Sequence, residues 1–124
     1  VRGKDIQWNN KKIKAKDLVY RQPGRKITII MDTGMNPNAI NLAKDSDLLV
    51  SEATYTKEEA DRARGYGHLT ASQAGEIAKK SKSKKLVLIH ISQRYENREK
   101  SVLEEARKVF KNTSLVDDLD ILEI

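Results

Sequence analysis

Leu86-Val87-Leu88-Ile89-His90-Ile91-Ser92 is the stretch on which the reading of the fold turns. Four aliphatic residues in a row, with no polar alternation, read as a strand buried on both faces, the mark of a parallel sheet covered by helices. The strand breaks off abruptly in a histidine. Two upstream stretches repeat this grammar. Lys26-Ile27-Thr28-Ile29-Ile30-Met31 ends at Asp32-Thr33-Gly34, and Leu48-Leu49-Val50 ends at Ser51-Glu52-Ala53-Thr54. Helical segments lie between them: Asn38 to Lys44, a charged helix over Lys57 to Arg64 closed by Gly65 and Gly67, and a helix running to about Lys80. Thr70-Ala71-Ser72-Gln73 opens that last helix as a capping box, with Thr70 as N-cap and Gln73 reaching back. Roughly Arg98 to Phe110 forms an amphipathic helix with Val102, Leu103, Ala106, Val109 and Phe110 on one side. Leu119, Ile121 and Ile124 suggest a final strand. The order βαβαβαβ is α/β.

Residues 5 to 20 read as a hairpin about Asn9-Asn10, residues that tolerate the positive φ of a tight turn. Val1 to Arg25 is then expected to be a covering β layer outside the main sheet. With 124 residues the chain is one domain or a piece of one. The absence of cysteine excludes disulfides and thiolate metal sites. No apolar stretch approaches the about 20 residues that span a bilayer, so no membrane role is expected and the default location is the cytoplasm. The net charge of +6 suits a polyanionic partner. Dense Lys/Glu surfaces also occur with no nucleic-acid role.

If the three strands are parallel neighbours, their polar ends meet on one sheet edge, where α/β proteins place ligands. Asp32, Glu52 and His90 would converge there, with His68 where a helix begins. Each has an ordinary alternative: Asp32 as a turn residue about Gly34, Glu52 as a satisfied strand-end carboxylate, His68 as loop surface. His90, following four aliphatic residues, is expected to be partly buried and to need a partner. Two histidines in all, and no His-x-His-x-Asp-His cluster, cannot build a hydrolytic dizinc site unaided.

At these residues the sequence resembles the ribonuclease Z family of the metallo-β-lactamase superfamily. The similarity runs through Ile29-Ile30-Met31-Asp32-Thr33, Asp47 to Thr54, His68-Leu69-Thr70-Ala71-Ser72-Gln73-Ala74, Leu86 to Tyr95 and Glu104 to Thr113, and spans most of residues 24–124. Met31, Ser51 and Leu69 stand where the family commonly has Gly, His and Ser. The resemblance implies the C-terminal half of an αββα sandwich over 1–124, with the N-terminal ligand half and tRNA-binding arm absent. It implies zinc, two ions per complete site, with Asp32 bridging them, His90 binding one, and further ligands coming from the missing half. It implies His68 as the acid that protonates the leaving oxygen, with Glu52 orienting it, and Thr70, Ser92 and Arg94 beside the substrate. The implied activity is removal of the 3′ trailer from precursor tRNA, leaving a 3′-hydroxyl, in an enzyme that is a homodimer when complete. This chain alone should be inactive. Its exposed sheet face should pair with the missing half or with a second copy. Two other readings stay open: a related phosphodiesterase or ester hydrolase of the same fold, and a non-catalytic nucleic-acid-binding module.

Overall fold

Four strands pair side by side in sequence order, all parallel. The computed structural model describes residues 4–20 and 22–124; Val1–Gly3 and Arg21, which belong to the expected N-terminal layer, lie outside the described residues. The main sheet is β3 (Ile27–Ile30), β4 (Leu48–Glu52), β5 (Leu86–Ile89) and β6 (Thr113–Leu115), in the order β3-β4-β5-β6. Between these strands run α2 (Pro37–Ala43), α3 (Ala60–Tyr66), α4 (Ala71–Lys80) and α5 (Glu99–Val109). Ahead of them lie the hairpin β1 (Ile6–Trp8) and β2 (Lys11–Ile13) and the single turn α1 (Ala15–Leu18). The α/β expectation holds.

Register assigns the two faces. Ile30, Ser51, Leu88 and Leu115 share one row, and Thr28, Leu49, Leu86 and Thr113 another. With Ala39, Ala43, Ala74, Ile77, Ala78, Val102 and Ala106 from the helices, the apolar members of these rows form one core. Each fully buried Leu, Ile or Val there contributes about 1.5–3 kcal/mol by leaving water. The opposite face is open along β3, where Ile27 and Ile29 are 52% and 61% exposed. An exposed apolar sheet face is what half of a sandwich would show.

α4 lies at the centre of the helical layer and packs against both α2 and α5. Gly75 allows the closer of these approaches: a Cβ there would meet Val109 Cβ at 3.0 Å and the Ala106 carbonyl at 3.1 Å. At the N-terminal edge of the sheet, Asp47 joins three segments. It accepts from Lys84 Nζ at 2.7 Å and the Lys26 amide at 2.8 Å, with Arg25 at 3.6 Å.

Four expectations need correction. The last strand is Thr113–Leu115, not the segment from Leu119 to Ile124. Leu119 has φ +73° and is 98% exposed, a conformation that breaks a strand, whereas Thr113 is buried beside Leu86. The hairpin turns at Asn9 and Asn10, both at positive φ as expected, but ends at Ile13 and passes into α1. It forms a sheet of its own and leaves Ile6 and Trp8 exposed, so it is not a covering layer. The charged helix begins as a 3-10 turn at Lys57–Glu59, and Gly65 lies inside α3 while Gly67 alone, at φ +73°, closes it.

Replacing Gly75 by Ala is expected to destabilise the chain by about 1–3 kcal/mol through overpacking, measured by chemical denaturation. Acid should act through Asp47. The Lys84 ammonium, the Lys26 amide and the Arg25 charge hold its carboxyl down to about 2. Because the folded value is lowered, its stabilisation is present above the ordinary value of 3.8 and is lost as pH falls towards about 2. Asp47→Asn should flatten the stability-versus-pH curve in that window and leave its shape near neutrality unchanged.

Candidate active site

The parallel register brings the ends of β3, β4 and β5 to one edge, as the sequence pattern implies: Glu52 is the last residue of β4, His90 follows β5 directly, and Asp32 stands two residues beyond β3. Two of the three leave the strand in the same unusual way. Asp32 has φ +47° and His90 φ +55°, left-handed conformations that end the ladder and re-aim the side chain. Asp and His enter this region more readily than most residues, yet it remains a strained choice that clusters at functional sites.

Backbone bonds lock the neighbouring loops to the strand ends. The Ala53 amide donates to the Ile89 carbonyl at 3.0 Å and the Ser92 amide to Thr54 at 3.1 Å. On the other flank, the Tyr55 amide donates to Leu69 at 3.3 Å and the Ala71 amide to Tyr55 at 2.8 Å. Residues 53–55 therefore lie between the His90 segment and the His68 segment. Sequence order does not foreshadow the second neighbour.

Glu52 is fully buried and is the most heavily bonded side chain of the site. Oε1 accepts the Thr33 amide at 2.8 Å. Oε2 accepts from Thr54 Oγ1 at 2.7 Å, His68 Nδ1 at 3.0 Å and the Leu69 amide at 3.2 Å. An acceptor-only carboxylate facing His68 Nδ1 requires the proton to be on that nitrogen, so His68 turns Nε2 away from Glu52. Asp32 Oδ1 is 3.9 Å from His68 Nδ1, and the two imidazole centroids are 5.4 Å apart. Asp32, His68 and His90 each bring one ligand atom within 4.8 Å of the others, a grouping that could hold a metal ion. Carboxylate oxygen with imidazole nitrogen suits zinc.

The remaining candidates sit as follows. His90 is exposed rather than partly buried, because the left-handed turn swings it off the strand; its partner is Thr54 Oγ1, 2.9 Å from Nδ1. Thr70 is buried and its hydroxyl caps α4, accepting from the Gln73 amide at 3.3 Å within the expected capping box. Ser92 is half-buried beside this cluster. Arg94 points its guanidinium at Glu59, 2.8 Å away, and lies 5.7 Å from the Tyr55 ring centroid. Thr33, Thr54 and Tyr55 escaped the list of candidate site residues. Thr54 carried a signal, two residues after Glu52, but a hydroxyl at a strand end is too common to single out.

Residues 8–91 match the β-lactamase superfamily domain. The chain is 44% identical over 125 residues to ribonuclease Z of Enterococcus faecalis, covering 99% of this chain and 40% of that protein. It is 49% identical over 114 residues to ribonuclease Z of Lactobacillus helveticus, covering 90% and 36%. A crystal structure of human tRNase Z, short form, superposes with a TM-score of 0.64 at 30% identity, covering 91% of this chain and 36% of that one. The chain thus spans about 40% of the length of the curated relatives it matches.

The strain at Asp32 is open to test, since its side chain is 69% exposed and little packing is lost on replacing it. Asp32→Gly should leave stability unchanged or raise it by up to about 1 kcal/mol, while Asp32→Val should lower it by about 2 kcal/mol, both read from urea unfolding midpoints. Parallel strands ending in this Asp, Glu and His edge, together with the match over residues 8–91, lead to one conclusion: the chain belongs to the β-lactamase superfamily.

Proposed function

We propose that this chain is the C-terminal part of a ribonuclease Z, a zinc-dependent endoribonuclease that cuts the 3′ trailer from precursor tRNA and leaves a 3′-hydroxyl. The observation that carries the reading is the grouping of Asp32, His68 and His90 in front of the buried Glu52. Its extension to tRNA rests on identities of 44% and 49% to proteins named ribonuclease Z. A tRNA-processing role fits a cytoplasmic protein, and among the described residues no helix is long and apolar enough to cross a membrane.

Asp32 and His90 would hold zinc, through a carboxylate oxygen and an imidazole nitrogen respectively. Bound there, zinc supplies Lewis-acid stabilisation of the phosphoryl oxygens and a nucleophile at neutral pH. Two ligand residues do not fill two such sites, so the remaining donors come from polypeptide outside this chain. His68 is assigned to proton transfer. Glu52 holds its Nδ1–H, which orients the ring; in the imidazolium form Nε2 carries a second proton, which it gives to the departing 3′ oxygen, leaving the neutral Nδ1–H ring. Arg94 is held by Glu59 and Tyr55, so it would meet RNA phosphates only through the guanidinium edge these partners leave free. Ser92 joins this edge through its amide, which donates to the Thr54 carbonyl, and Thr70 acts on substrate only indirectly, by fixing the helix that follows His68. The apolar face of β3, with Ile27 and Ile29, is the surface against which the remaining half, or a second copy, would close the sandwich. The complete enzyme is expected to be a homodimer.

The test is cleavage of a 3′-extended precursor tRNA by the longer polypeptide and by this chain alone, with the cut mapped on a sequencing gel. The longer polypeptide should cut after the discriminator base, and the chain alone should be inactive. Asp32→Ala should abolish cutting and reduce bound zinc, whereas His68→Ala should cut at least 100-fold more slowly with its zinc retained. Cleavage of a small chromogenic diester but not of tRNA would instead assign the site to a small-ester hydrolase.

A further inference from the structure

We propose that Thr54 is a positioning residue that sets the tautomer of His90, passing the constraint of Glu52 on to a second histidine. The proposal deepens the metal-site reading above and rests on it for its purpose, but the tautomer can be measured without metal or substrate.

The argument is a count of protons and lone pairs. Both oxygens of Glu52 face donors: the Thr33 amide at Oε1, and the Leu69 amide and His68 Nδ1 at Oε2. As an ionised carboxylate Glu52 has only lone pairs to offer, so it is the acceptor towards each of these groups. Thr54 Oγ1, 2.7 Å from Oε2, must then donate its single hydroxyl proton to Glu52. Towards His90 the same oxygen has only lone pairs left. The 2.9 Å contact to His90 Nδ1 is therefore an N–H donated to Thr54. His90 carries its proton on Nδ1 and offers an unprotonated Nε2.

The two histidines end in the same state by different routes. His68 is bonded to Glu52 directly, and His90 through one intervening hydroxyl. A neutral imidazole needs a lone pair on the nitrogen that binds a metal, and the bond made by the other nitrogen decides which one that is. Exposure gives the device its importance at His90, whose ring has the His68 ring 5.4 Å away between centroids on one side and faces solvent on the other. Thr54 itself is buried, held between Glu52 and the Ser92 amide that bonds its carbonyl.

The chain contains only two histidines, which makes the test direct. Long-range proton–nitrogen correlation spectra of the 15N-labelled chain, recorded without metal at about pH 8, where an ordinary imidazole is neutral, report which ring nitrogen carries hydrogen. Assignment follows from His68→Gln, which removes one set of signals. His90 is expected to show protonated Nδ1 and unprotonated Nε2. Thr54→Val should move His90 to a mixture of tautomers and leave His68 as it was, and Thr54→Ser should restore the original pattern. A His90 proton on Nε2 in the unsubstituted chain would overturn the proposal even if Thr54→Val proved unstable. An unchanged His90 signal in a folded Thr54→Val chain would do the same. Neither outcome touches the assignment of tRNA cleavage, which stands or falls on the cutting assay.

Discussion

The Glu52 carboxylate is the constraint on which the rest of the site depends. A buried carboxylate is tolerated only when its lone pairs are used, since an unpaired one costs several kcal/mol. The four donors around Glu52 come from the turn after β3, from the segment after β4, and from the loop before α4. Satisfying one charge therefore fixes three pieces of chain at once. Hydrogen bonds to a charged group contribute roughly 1.5–3 kcal/mol each, and they add to the burial of Ala53 and Leu69 in holding these loops. Removing any one donor weakens the site twice, by losing a bond and by leaving the charge less compensated.

This arrangement explains why the strand ends can be strained. The left-handed turns at Asp32 and His90 work against the local preference of the chain. The first is held because the next residue, Thr33, must direct its amide at Glu52. The second is held by the Ser92 amide on Thr54 and by the His90 ring on the Thr54 hydroxyl. Strain at the two exposed groups is offset by bonds to buried ones, so the geometry facing solvent is built from the interior outwards.

How much of this could be read in the sequence follows from the range of each interaction. The strands at Ile27–Ile30 and Leu86–Ile89 are written in runs of aliphatic residues, and the capping box at Thr70 and Gln73 in a spacing of three; both are local and both were legible. Convergence of Asp32, Glu52 and His90 followed from parallel order alone. The exposure of His90 did not, because it depends on one backbone angle that nothing next to it in sequence demands. The close approach at Gly75 was equally hidden, since its reason is Val109 on another helix. The misplaced final strand shows the opposite error. Leu119, Ile121 and Ile124 look like a strand by composition, but the place beside β5 was already taken by Thr113–Leu115, which follows directly from α5.

A site built this way separates orientation from ligation. Bonds that orient both histidines lie within these 124 residues: those of the carboxylate, the relay hydroxyl, the amides and the strand ends that carry them. The ligand atoms themselves are too few, and the sheet face beneath them is uncovered along β3. On the proposed reading, imidazoles held ready in one polypeptide would reduce what a second segment must do on arrival, because it would bring further donors and an apolar face without reorganising those already present. The same division makes the orienting bonds measurable on their own. They are satisfied within this chain, so the tautomers they impose do not wait for the ligands that complete the site.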